Sequence, residues 1–76
     1  MKPTEFYLTK KGLNFKEGPK YLKEEKLIIK FLKDGRKNIS QILGLLNKKL
    51  KEKTHWYAIK NHLDNLLKEG FVEKIK

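Results

Sequence analysis

The chain contains no cysteine, one methionine, one tryptophan, one arginine and two prolines in 76 residues. Without cysteine there are no disulfides and no thiolate metal sites to staple a small domain, a composition that suits a reducing interior. Long apolar runs are missing too. Leu27-Ile28-Ile29 is cut by Lys30, and Ile42 to Leu46 ends at Asn47, so nothing approaches the roughly 20 residues that span a bilayer. Met1-Lys2-Pro3-Thr4-Glu5 lacks the apolar centre of a signal peptide. The expectation is a cytoplasmic protein with no membrane partner.

Catalytic and metal chemistry is equally short of material. The only histidines, His55 and His62, are separated by about 10 Å of rise if helical, too far to share one metal. The carboxylates Glu5, Glu17, Glu24, Glu25, Asp34, Glu52, Asp64, Glu69 and Glu73 are scattered along the chain. Asp64 has Lys60 and Lys68 four residues to either side, the pattern of a solvated ion-pair face. Ser40 reads as a helix cap, and no glycine-rich phosphate loop occurs. A core this small also leaves little room for a substrate pocket. The expectation is no enzyme, no metal, no cofactor and no small-molecule substrate.

What the chain has is positive charge. Nineteen basic against nine acidic residues give a formal +10. Residues 1–32 hold eight Lys and four Glu, residues 33–60 eight basic and two acidic groups, and residues 61–76 three of each. The excess therefore peaks between Lys33 and Lys60. A polyanionic partner follows naturally, because phosphates paired with Lys or Arg release condensed counterions. The plain alternative is solubility alone, since Lys-rich, Cys-free chains also suit a heat-loving host, archaeal or viral.

Seventy-six residues make one small domain, able to bury roughly 60% of its unfolded surface. Residues 1–18 read as an arm. Phe6 and Leu8 alternate with Tyr7 and Thr9, and Leu13 and Phe15 follow Lys10-Lys11-Gly12. That pattern predicts either a β-hairpin turning at Gly12 or a simple extended arm. Glu17-Gly18-Pro19 is clear punctuation, with Pro19 suited to the first turn of a helix. That helix is predicted over 19–33, with Tyr21, Ile28, Phe31 and Leu32 at helical spacing, and Asp34-Gly35 ending it. Arg36-Lys37-Asn38 is a loop or very short strand. A second helix starts near Ile39 or Ser40, where Ile39, Ile42, Leu43, Leu46 and Leu50 repeat at i, i+3, i+4, i+7 and i+11. Gly44 inside it costs about 1 kcal/mol relative to Ala, and a close helix–helix approach would account for it.

Lys51-Glu52-Lys53 is read as a turn, and Thr54 as the N-cap of a third helix. Trp56, Ile59, Leu63, Leu66 and Leu67 fall within about 100° of arc, a core-facing stripe with Trp56 near its centre. The opposite arc carries Thr54, Tyr57, Ala58, Asn61, Asp64, Asn65 and Lys68, with Lys60 on its border. His62 flanks the stripe as a packing residue. Gly70 stands where a left-handed residue closes a helix, and an extended segment follows from Phe71 to Lys76.

Two helices joined by a short turn, the second ending Leu63-x-x-Leu66-Leu67-x-x-Gly70-Phe71-Val72 and supported by Ile39-Ser40-x-Ile42-Leu43, resemble the winged helix-turn-helix domain. The resemblance covers residues 20–76 and implies a domain over 19–76. The fold class expected is mainly α with a small β element: three helices, a C-terminal strand, and an N-terminal β-hairpin completing the sheet. Many such domains carry a basic β-hairpin wing after the recognition helix. Here the sequence ends at Lys76 after one strand, which leaves Lys10 and Lys11, at the tip of the leading hairpin, as substitutes for the wing.

What the resemblance implies is duplex DNA binding, with the third helix in the major groove and basic loops on the phosphates. The base-facing set is then Thr54, His55, Tyr57, Ala58 and Asn61. Asn61 is able to pair bidentately with adenine, and Tyr57 or Ala58 to meet a thymine methyl; the plain alternative is a solvated helix face. The phosphate set is Arg36, Lys37, Lys48, Lys49, Lys51, Lys53 and Lys60, with Arg36 equally suited to a salt bridge with Asp34 or Glu52. A small transcriptional regulator of this kind acts as a homodimer. Two other classes compete: a protein-interaction module of a transcription or replication assembly, and a basic RNA-binding protein.

Overall fold

The computed structural model describes residues 4–16, 18, 21–51 and 53–75. In chain order they form β1 (Glu5–Leu8), α1 (Lys10–Leu13), α2 (Lys23–Leu32), β2 (Lys37–Asn38), α3 (Ile39–Leu50), α4 (Trp56–Glu69) and β3 (Val72–Ile75). Four helices and a small antiparallel sheet match the expected class of mainly helical protein with a minor β element.

The sheet has the order β2-β1-β3. Glu5 and Phe6 pair with Asn38 and Lys37, while Glu5 through Leu8 pair with Ile75 through Val72. The leading arm is therefore the central strand. This excludes the predicted hairpin, because a return strand needs a free edge of β1 and both edges are taken. After Leu8 the chain instead makes one helical turn. Thr9 caps it, its Oγ1 accepting from the Gly12 N–H at 3.1 Å and donating to the Gly70 carbonyl. Gly12 is helical and buried rather than a positive-φ turn residue. Its lack of a side chain lets α1 lie on the Phe71 carbonyl, since a Cβ there would come within 2.0 Å of that oxygen.

The α2 helix begins at Lys23, later than the spacing predicts, with Leu22 as an N-cap that offers no side-chain bond; Pro19 lies outside the described residues. Ile28, Ile29 and Leu32 are buried along it, and so is Glu25. Gly35, at φ 135°, turns the chain into β2. The α3 helix is capped by Asn38 rather than Ser40. Asn38 Oδ1 accepts from the Gln41 N–H and Gln41 Oε1 from the Asn38 N–H, each at 2.9 Å, a reciprocal capping box in which a residue two positions earlier has the extended backbone a cap requires. Gly44 lies exposed with nothing within 4 Å of a Cβ, so no close helix approach accounts for it.

The α4 helix starts at Trp56 with His55 as N-cap, not Thr54. It ends in the expected left-handed Gly70, at φ 82°. The Gly70 N–H reaches the Leu67 carbonyl and the Phe71 N–H the Leu66 carbonyl, the pair of bonds that closes a Schellman end. Ile59, Leu63 and Leu66 are buried against the other helices and the sheet, each worth roughly 1.5–3 kcal/mol of transfer free energy. Trp56 is not among them. It is 43% exposed, because at the first position of the helix it projects past the end of the core. Phe15, Tyr21 and Phe71 stack edge to face with centroids 4.9–5.8 Å apart, an aromatic margin to the same core.

Candidate functional site

The connection between α3 and α4 sets the geometry of the basic region. Lys51 ends α3 in the left-handed conformation, φ 55°, and is the sole non-glycine residue with positive φ among the described residues. One side chain organises the turn. The Asn47 backbone carbonyl accepts from the Lys51 N–H at 2.9 Å, and its side-chain Oδ1 accepts from the Thr54 N–H at 2.7 Å. Asn47 thus fixes both sides of the bend where the sequence supplies no glycine. Sequence reasoning passed over it as a residue inside the second helix. Its one signal was an amide-bearing side chain in the last turn of a helix, a type that bonds neighbouring backbone in preference to staying helical.

The bend leaves the N-terminal end of α4 uncovered. His55, the N-cap, makes no side-chain cap bond, and the first turn carries no acidic residue, so the positive end of the helix is not neutralised from within. Around it Lys48, Lys49, Lys51, Lys53 and Lys60 are all exposed. Lys60 Nζ lies 3.1 Å from Asp64 Oδ2. Tyr57 is 74% exposed, and Asn61, one turn further along the same face, is exposed as well. Thr54 and Ala58 are half-buried and His55 is exposed. The first turns of α4 therefore combine an outward phenol and amide with a lysine collar.

Other predicted positions lie elsewhere. Arg36 Nε sits 3.4 Å from Glu5 Oε1, a partner on β1 rather than Asp34; Glu52, the other partner expected, lies outside the described residues. Lys37 Nζ donates to the Gly35 carbonyl at 3.4 Å. Lys10 and Lys11 occupy a helical turn instead of a hairpin tip. Lys11 Nζ donates to the Glu69 carbonyl at 2.7 Å and stands 5.1 Å over the Phe71 ring. They neighbour the C-terminal end of α4, about 20 Å of helix away from Trp56, and do not share a surface with Tyr57.

His62 of α4 does more than the packing expected of it, and the exposed Asn65 reaches the same partner. His62 Nδ1 lies 3.2 Å from Glu25 Oε2, and Asn65 Nδ2 donates to the same oxygen at 3.5 Å. Glu25 is 6% exposed. The signal was present in the sequence: Glu25, Ile28, Ile29 and Leu32 follow i, i+3, i+4, i+7, which places a carboxylate on the apolar stripe of α2. The cluster orients α4 against α2. No group of three or more His, Asp or Glu side chains that could hold a metal occurs among the described residues, and no helix among them is long and apolar enough to cross a membrane.

A groove of about 340 Å³ runs beside the lysine collar, between α4 and the sheet. Trp56, Lys60, Asp64 and Leu67 line it from the helix, Thr4, Phe6 and Lys74 from β1 and β3, and Asn38-Ile39-Ser40 from the start of α3. The exposed Trp56 ring lies in it, braced edge-on by Tyr57 with centroids 5.3 Å apart and ring planes at 90°. The sequence did not reveal this groove, because it exists only once the leading arm has entered the sheet. No protein-family model, curated protein or solved structure matches the chain.

Proposed function

We propose that the chain is a duplex DNA-binding protein of the winged helix-turn-helix type, a small transcriptional regulator that lays the first two turns of α4 in the major groove. The observation that carries this reading is the pairing of Tyr57, 74% exposed, with Asn61 on one helix face inside a ring of exposed lysines. Apart from its edge contact with Trp56 the Tyr57 ring faces solvent, and a major groove offers that ring and the Asn61 amide specific partners. The uncovered N-terminal end of α4 and the lysines of the α3–α4 turn suit the flanking phosphates.

The architecture supports the same reading. A helix–turn–helix pair is followed by a strand that returns onto a three-stranded antiparallel sheet, and β1 fills the position beside β3 that the return strand of a wing would take. Lys10 and Lys11, in a helical turn beside the C-terminal end of α4, do not supply a wing. Since one helix reads only a few base pairs, the proposed working form is a homodimer on a two-fold site, with half-sites about 34 Å apart.

Fluorescence anisotropy of a labelled random duplex, titrated from low to high salt, tests the reading. Neutralising about five phosphates gives a log–log slope near −4.5. Absence of binding even at low salt refutes it and favours the protein-interaction module on the same surface.

A further inference from the structure

The groove beside Trp56 has no role in major-groove readout, and its chemistry differs from that of the Tyr57 face. Its floor is aromatic and aliphatic, from Trp56, Leu67 and Ile39. Asn38 and Ser40 bring hydrogen-bonding groups to one wall. Lys60 and Lys74 stand on opposite sides of it, one on α4 and one on β3. We propose that this groove is a nucleobase site, which takes one unpaired base adjoining the bound duplex and stacks it on Trp56.

Five observations lead to this ligand. Trp56 is the single tryptophan; standing past the end of the core, it lines the groove and is 43% exposed. Tyr57 meets its ring at 90° with centroids 5.3 Å apart, a T-shaped contact that biases the orientation of the indole and so lowers the ordering cost when a flat ligand settles on it. The volume of about 340 Å³ is at the small end of ligand pockets, which run from roughly 300 to 1,000 Å³, and so fits a base with its sugar better than a larger cofactor. The lysine on each side complements the anionic strand that carries the base. Asp64, held by Lys60 at 3.1 Å, is placed to accept from an exocyclic amine rather than to meet a phosphate. Base recognition by stacking plus hydrogen bonds to the exposed edge is the pattern used wherever a nucleotide leaves the duplex stack.

The inference rests on the DNA-binding reading, and one experiment separates the two. Three labelled duplexes of equal length and sequence are compared: blunt-ended, with a one-nucleotide overhang, and with one internal unpaired base. Anisotropy reports binding, and the intrinsic fluorescence of Trp56, the sole tryptophan, reports stacking in the same cuvette. The expected result is binding to all three, with Trp56 quenched and affinity raised about thirtyfold by an unpaired base, the middle of the range for base–aromatic stacking. The overhang and internal arms show which source supplies the base. Trp56→Leu, which keeps an apolar side chain outside the core, should abolish the preference and leave blunt-duplex affinity within about twofold, whereas Trp56→Phe should retain part of it. Equal affinities with unquenched Trp56 overturn the nucleobase site and leave duplex binding standing. A preference that survives in Trp56→Leu overturns it as well. No binding to any of the three overturns both.

Discussion

Two glycine-to-alanine substitutions, both inside helices, should change stability in opposite directions. At Gly12 the intrinsic helix preference favours Ala by about 1 kcal/mol. The packing opposes it: a Cβ would lie 2.0 Å from the Phe71 oxygen and 3.0 Å from both the Phe71 carbonyl carbon and Leu8 Cδ2. The closest obstacle is backbone, so no side-chain rotation relieves the clash, and α1 must move off the end of α4. That movement strains or breaks the 3.0 Å bond from the Thr9 N–H to the Phe71 carbonyl, the Thr9 hydroxyl bond to Gly70, and the Lys11 bond to Glu69. Overpacking costs typically 1–3 kcal/mol, and each buried or half-buried hydrogen bond about 1 kcal/mol more. After the helix preference is set against these, Gly12→Ala should destabilise by about 2–4 kcal/mol. For a domain of this size that lowers the melting temperature by roughly 8–30 °C. Gly44→Ala is the control. It has the same intrinsic gain, nothing within 4 Å, and should stabilise by about 1 kcal/mol. Thermal melts followed by far-ultraviolet circular dichroism measure both. If Gly12→Ala melts at or above the wild-type temperature, the docking of α1 on Phe71 is wrong.

Other perturbations address the turn and the interior. Glu25→Ala leaves the largely buried His62 without its partner and should destabilise by about 1–3 kcal/mol, while a double variant with His62→Leu should be less destabilised than the sum of the two singles; chemical denaturation of the four proteins gives the coupling. Lys51→Gly removes a side chain from a left-handed position, so stability should rise by about 1 kcal/mol while the salt slope of DNA binding becomes shallower by about 0.9; a stability gain with an unchanged slope would remove Lys51 from the phosphate set. Asn61→Ala should relax base preference at one position by about 1–3 kcal/mol, and selection of bound sequences from a random pool that returns the wild-type site would sink the major-groove assignment.

The helices were legible because their signals are local. The i, i+3, i+4, i+7 repeat from Ile39 and the stripe of Ile59, Leu63 and Leu66 describe which side of a cylinder is apolar, and Gly70 marks an end through its own backbone freedom. Charge and exposure of the lysines are likewise properties of single residues. What the sequence did not disclose depends on partners distant along the chain. Lys10-Lys11-Gly12 reads as a turn until Phe71 is known to lie 2.0 Å from where a Cβ of Gly12 would stand. Trp56 belongs to the apolar arc by angle, yet the core ends one turn short of it. Glu25 was one carboxylate among nine until α4 brought His62 and Asn65 to it, and the groove beside Trp56 needs β1, β3 and the start of α3 around α4. The sequence by itself determined the helices, their apolar faces and the basic balance, since each follows from periodicity or composition. Only tertiary structure decided that the leading arm is the central strand, because strand order is set by long-range pairing and by which edges remain free, and no local pattern encodes either.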